Sequence, residues 1–268
     1  MINSQQSRFE PLHLAFIGSG GLVILFIVAP LLGMFLKTSG IEMIETAGDP
    51  EVQNSIWLTL WTAMAGALTF GILAIPFAYI LARKTFPLKR LVMGIIDLPI
   101  VVPHSAAGIA ILGVISRDTL LGRMAEPLGL HLVGGPIGII AAMSFVSIPF
   151  LINAARDGFL GVPEKLEKAA LNMGASPFRV FFTISLPLAW KSILSGLILM
   201  WARGMSEFGA VVIVAYHPIV APVLIYERFS AFGLKYARPV SVLFLMVCLI
   251  IFLLLRLLSG NKQNASNR

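Results

Sequence analysis

Arg203 and Glu207 sit four residues apart in an otherwise apolar stretch, Ser192–Tyr226. That spacing is one helical turn, so the two side chains share a face and can form an ion pair. A neutralising partner one turn away favours a structural pair over direct contact with a ligand. Asp97 is the one charge in Leu91–Ser116 and is followed by Pro99 and Pro103. It is placed to cap or to pair with Arg90. The four histidines, His13, His104, His131 and His217, are scattered, and Cys248 is the single cysteine. No metal site and no disulfide framework are expected from that pattern. A membrane enzyme would need His, Asp or Cys gathered at one depth, and Arg203, Glu207 and Asp97 do not supply this. The G-x-x-x-x-G-K-[ST] phosphate loop is absent from the sequence. If ATP drives this protein, another polypeptide binds it. The chain is therefore read as a non-enzyme that carries no cofactor.

A second group of residues points to contact rather than catalysis. The stretch EKAALNMGASPFRVFFTISLP, Glu167–Pro187, is charged and rich in small residues. Pro163, Glu164 and Glu167 mark a helix start. Leu166, Ala169, Ala170 and Met173 recur at helical spacing, and Gly174 allows the helix to end. Ser176 and Pro177 form an N-cap and first-turn pair for a second short helix running towards Thr183. Leu186-Pro187 is expected to turn the chain back. Two short helices with a small-residue seam would let another protein's backbone approach closely. A solvated loop that touches only its own bundle fits the spacing equally well.

The elements that hold these residues are set by composition. The chain has 268 residues, 57% hydrophobic and 12% charged, with a net charge of +7 and a mean hydropathy of +0.90. Ordinary soluble domains carry about 25% charged residues. The positive charges form short patches between apolar runs, which fits a bilayer and excludes nucleic acid as the partner. Pro11–Leu36, Val52–Ala82, Pro127–Ala155 and Pro239–Leu255 contain no Asp, Glu, Lys or Arg. A spanning helix needs roughly 20 apolar residues. The expectation is an all-α integral membrane protein of one domain, with six spans near 12–36, 54–82, 91–115, 136–157, 190–214 and 237–257. Ser192–Tyr226 is long enough for a span plus a returning segment. The first run is too long for a signal peptide and lacks a clear cleavage site. Pro76, Pro99, Pro103 and Pro149 are tolerated because bundled neighbours re-satisfy the freed backbone. Ser195, Ala202, Arg203, Ser206, Gly209 and Ala210 would form one small or polar face.

Orientation follows from the basic residues. Arg8, the 83–90 turn, the 156–191 segment and the tail with Arg256, Lys262 and Arg268 hold 13 of them, and the opposite side holds six. The Lys37–Asn54 loop is acidic. A multi-pass protein of the cell membrane is expected, with both termini and the 163–187 loop cytoplasmic.

The 167–187 stretch resembles the Glu-Ala-Ala loop of ABC importer permeases. Ala169-Ala170, Gly174, Ile184 and Leu186-Pro187 hold its spacing, whereas Lys168 stands at the motif's acid position and Glu167 lies one residue earlier. Over about Ser55–Leu257 the chain is similar to molybdate/tungstate permeases of the archaeal type. DLPIVVPHSAAGIAIL (Asp97–Leu112) and ARGMSEFGAVVIVAYHPIVAPVLIYERF (Ala202–Phe229) carry that likeness. Sulfate permeases usually show Gly where this chain has Ser206. The resemblance implies a type I importer fold and a loop that couples to the ATPase through Glu167, Lys168, Ala169, Ala170, Gly174, Ala175, Ser176 and Pro177. It implies a homodimer in lipid, an ATPase dimer inside and an oxyanion-binding protein outside. It also implies a pathway along the dimer axis, lined largely by the third and fifth spans, on which Asp97, Pro99, Pro103, Arg203 and Glu207 are the candidate pathway or structural residues. A secondary transporter is the competing class, but no internal repeat supports it.

Overall fold

The computed structural model describes residues 11–260, and its regular elements there are helical throughout. The N-terminal Arg8 and the tail residues Lys262 and Arg268, on which part of the orientation rests, lie outside the described residues. Five helices are long and apolar enough to cross a membrane, and a sixth span results if one bent pair is counted as one. They are α1 (Pro11–Leu36), α3 (Pro50–Arg83), α7 (Pro136–Leu160), α10 (Leu186–Met205) with the helical turns leading into it from Pro177, and α13 (Leu234–Gly260). Caps mark the outer starts. Ser39 and Glu42 form a capping box for α2 (Gly40–Gly48), and Asp49 caps α3, which then opens with Pro50.

The core is a three-helix layer of α3, α7 and α10, and it is built on small residues. Ala63, Ala67, Ala74 and Ala78 of α3, Ala142 and Ala155 of α7, and Ala189 of α10 are all buried. A methyl group on Gly196 would stand 2.8 Å from Ala154 Cβ, and one on Gly158 would stand 2.6 Å from Ser192 Cβ. The backbones of α7 and α10 therefore approach as closely as glycine permits. In a membrane such contact supplies the packing that water cannot drive. In contrast, α1 has no buried residue among its described side chains and meets the bundle mainly at α13.

Two of the expected spans are interrupted. The 91–115 stretch divides into α4 (Lys89–Val101) and α5 (His104–Ile115), which meet at 113°. Val102 and Pro103 are extended at the joint. Proline lacks an N–H and pushes its predecessor out of the helical region, so α4 ends there. Pro76, Pro99 and Pro149 remain inside helices. The 190–214 stretch breaks after Met205 and resumes as α11 (Gly209–Val214). The small, polar face expected to run through Gly209 and Ala210 is therefore split between two helices. The returning segment is α12 (Ala221–Phe232), whose first free N–H, that of Ala221, donates to buried Thr59 Oγ1 at 2.8 Å.

The expected turn at Leu186-Pro187 is absent. After α8 (Glu164–Asn172) and the single α turn α9 (Pro177–Val180), one wide turn of π type, Phe181–Ser185, runs directly into α10. Pro187 lies in the first turn of α10, where its missing N–H costs little.

Candidate functional site

Two polar clusters lie at different levels of α3. Trp201 Nε1 donates to Leu60 O at 3.1 Å, and Gly204 packs against Ala63. The 203–207 region is thus level with residue 63 of α3, about 30 Å along the helix from Arg83 at 1.5 Å per residue.

The first cluster is at the C-terminal end of α3. Glu167 Oε1 and Oε2 face Arg83 Nε at 3.1 and 2.9 Å, and Arg83 Nη2 donates to Oε1 at 2.8 Å. Ser185 Oγ donates to Oε1 at 2.6 Å, and Tyr79 Oη to Oε2 at 3.4 Å. Arg83 Nη2 also donates to Val162 O at 2.9 Å. Both charged side chains are 9% exposed. Beneath them, Tyr79 meets Phe159 and Phe181 edge-on, with centroids 5.2 and 5.0 Å apart. A two-pronged, charge-assisted contact of this kind fixes geometry as well as charge. The clamp joins the end of α3, Val162 in the link from α7 to α8, the middle of α8 and the π turn.

The two neighbours at the motif's acid position, Glu167 and Lys168, have opposite surroundings. Glu167 points into the bundle, whereas Lys168 is exposed and pairs only with Glu164 at 3.0 Å, a surface contact worth at most about 1 kcal/mol. Ala170 is buried beside Glu167 and is not part of an outward surface. The expectation that Ala169 and Ala170 present one face is corrected by their opposite burial. Ala169, Gly174, Ser176 and Pro177 are exposed, Ala175 is half-buried, and Met173 and Phe178 stand 81% and 74% exposed. Gly174 has φ +88°, the left-handed region, and its N–H closes α8 on Leu171 O at 2.9 Å. Sequence reasoning missed Arg83, Ser185 and Tyr79 because they lie 84, 18 and 88 residues from Glu167.

The second cluster is built where the two broken stretches meet. Glu207 is fully buried. Its Oε1 accepts the Ala210 N–H at 2.9 Å, replacing a helix carbonyl at the start of α11. Oε2 lies 3.0 Å from Arg203 Nη2 and 2.8 Å from His104 Nδ1. Neither approach has hydrogen-bond alignment, so Oε2 is held by charge. Arg203 Nη2 is 2.9 and 3.2 Å from the two ring nitrogens of His104, and Nη1 donates to Ser206 Oγ at 3.2 Å. The Arg203–Glu207 pair is present as the spacing implies, but it is a three-residue group, and His104 is no isolated histidine. The pair is also sealed on one side only, since Arg203 is 22% and His104 42% exposed.

Asp97 belongs to neither cluster. It accepts from Asn153 Nδ2 at 2.7 Å, linking α4 to α7, in place of the expected pairing with Arg90. Pro99 is buried inside α4, and Pro103 is exposed at the joint with α5. Among the described residues, no group of three His, Cys, Asp or Glu is placed to hold a metal. On the acidic outer side, Arg228 Nη2 bridges Asp49 at 2.6 Å and Glu51 at 2.9 Å. The Arg228 hydrogen bond holds the Asp49 carboxyl below its usual range.

Residues 74–261 match the family described as the binding-protein-dependent transport system inner membrane component. The molybdate/tungstate transport system permease protein WtpB of Thermococcus kodakarensis is 46% identical over 250 residues, covering 92% of this chain and 96% of that one. The sulfate transport system permease protein CysT of Synechocystis is 30% identical over 252 residues, covering 91% and 88%. A bacterial ABC transporter structure, involved in import of the acidic polysaccharide alginate, superposes with a TM-score of 0.75 at 16% identity, covering 96% of this chain and 97% of that one. Its likeness establishes the fold, that of ABC importer permeases.

Proposed function

The chain belongs to the family of binding-protein-dependent transport system inner membrane components, and from that premise we propose that it provides the membrane pathway of an ATP-driven importer for molybdate or tungstate. The observation that carries the substrate class is the 46% identity to a molybdate/tungstate permease along 92% of the chain. The 30% identity to a sulfate permease makes sulfate the second choice.

The inner cluster supports the coupling part of the reading. Glu167 and Arg83 hold the base of the 163–187 loop rigidly to the bundle, while Met173, Phe178 and Ala169 are left facing outward. A separate ATPase dimer docks on that outward surface, an oxyanion-binding protein docks on the opposite side, and a second copy of this chain completes the pathway. The excess of basic residues supports a cytoplasmic loop and cytoplasmic termini.

Two measurements test this. Vesicles holding the complex of this chain with its ATPase and binding protein should take up labelled molybdate or tungstate only when ATP is supplied. Preferential uptake of sulfate, or uptake of thiamine, iron or a sugar, would replace the assignment. In intact cells, an impermeant thiol reagent should label Glu45→Cys and leave Lys165→Cys untouched, and the reverse pattern would invert the topology.

A further inference from the structure

We propose that the exposed side of the second cluster, His104 with Arg203, is a contact point for the oxyanion inside the membrane, and that Glu207 is its positioning residue. This rests on the oxyanion reading above and assigns residues to it.

The case begins with unequal exposure. A pair that only locks helices is sealed on both sides, as Arg83 and Glu167 are at 9% each. Here the acid is 0% exposed, its arginine 22% and its histidine 42%, and Ser206 beside them is exposed. The negative charge lies behind and the partly exposed Arg203 guanidinium lies in front. An anion approaching from the open side meets the guanidinium before it meets the carboxylate. Arginine carries five N–H donors in a fixed fork that matches a tetrahedral oxyanion. Glu207 Oε2 lies 2.8 Å from His104 Nδ1 and 3.0 Å from Arg203 Nη2, and so holds the ring and the guanidinium together.

Depth supplies the second argument. The cluster lies level with residue 63 of α3, well within a span. Ionisable groups at such depth face the bundle interior or a water-filled cavity, because lipid contact is costly. Helix joints are another mark of such a place, since unwound backbone is tolerated where it lines a cavity. Both joints of this chain, 102–103 and 206–208, come together here. The packing of α5 on α11 is close: a methyl on Gly209 would stand 2.7 Å from His104 Cβ.

Charge balance supplies the third. Glu207 neutralises Arg203, so the group offers directed donors without a large net positive charge. A dianion can pause there without being trapped, which conduction requires.

The test uses the whole complex in lipid vesicles and radiolabelled molybdate. Initial uptake per assembled complex is measured against the concentration of loaded binding protein. Removing a hydrogen bond to a charged group is expected to lower maximal uptake about tenfold in His104→Phe and in Arg203→Met. The half-saturating concentration of binding protein should stay unchanged, because docking lies outside the membrane. His104→Gln and Arg203→Lys, which keep a donor in place, should recover part of the rate. The inference is overturned if His104→Phe and Arg203→Met transport at the wild-type rate per complex, or if their losses only follow the amount of complex assembled. In either case wild-type uptake would leave the oxyanion function standing. No molybdate or tungstate uptake by the wild type would remove both.

Discussion

The two buried glutamates have similar partners and opposite surroundings. Glu167 is held by Arg83, Ser185 and Tyr79, and its whole shell is closed. Glu207 is held by Arg203, His104 and one backbone N–H, and its shell is open on the side of Arg203 and His104. Both acids cost free energy to bury. The first is surrounded on all sides by groups that stay still, which suits a joint. The second keeps its donors within reach of an outside group, which suits a contact. An Arg–Glu pair in a membrane protein therefore carries no single meaning, and the exposure of the cation separates the two uses.

The largest effect should come from opening the closed shell. Arg83→Ala or Glu167→Ala leaves a buried charge without its partner and should destabilise the chain by about 3–5 kcal/mol. Thermal unfolding of the detergent-solubilised protein measures it. Replacing both residues with leucine should recover most of the loss. If the double variant is as unstable as the singles, Ser185 and Tyr79 dominate the joint and the ion pair does not.

Glu207→Ala should cost less, about 1–3 kcal/mol, because Arg203 and His104 retain a route to water. This revises the expectation of a fully buried pair at 203 and 207. A loss equal to that of Glu167→Ala would erase the distinction between closed and open shells.

The Asp49–Arg228 contact calibrates the low end. Asp49→Asn should cost at most about 1 kcal/mol, as exposed ion pairs do. Its carboxyl is held low chiefly by the Arg228 hydrogen bond, so this contribution is complete above the ordinary aspartate value of about 4. It disappears as pH falls through the lowered value. Unfolding followed between neutral and acid pH should show that increment in the wild type and not in the variant.

Ala169→Trp should leave unfolding unchanged, since the position is exposed, and should abolish co-purification of the ATPase. Gly174→Trp is a poorer probe, because φ +88° strains any side chain there. For the same reason Leu128→Trp is a better outer-loop control than Gly129, whose φ is +68°.

What could be read from the sequence follows distance along the chain. The long uncharged runs show as helices because length and hydropathy are local properties. The start of α8 and the Ser176 cap are local too, and Ser176 Oγ does accept the Arg179 N–H at 3.3 Å. The joints were hidden for physical reasons. Pro103 breaks its helix while Pro76, Pro99 and Pro149 do not, so proline alone does not discriminate. The break at 206–208 contains neither glycine nor proline and depends on the Glu207 side chain and on His104, 103 residues earlier (207 − 104). That Glu167, one residue before the motif's acid position, turns towards Arg83 depends on a partner 84 residues away, which the spacing alone does not reveal.

The unbroken helical run from Pro177 to Met205 has a mechanical consequence. It is a rod of 29 residues, about 43 Å long at 1.5 Å per residue. The Ser185–Glu167 bond grips it near its inner end. The arm from Ser185 to Pro177 is about 12 Å and the arm to Met205 about 30 Å. A tilt about that fulcrum multiplies travel roughly two and a half times along the arms so defined. A shift of about 1 Å at Pro177 becomes more than 2 Å beside Arg203 and His104. The same ratio divides force, so the far end moves widely and pushes weakly. A passage that opens and closes around a small ion needs displacement more than thrust.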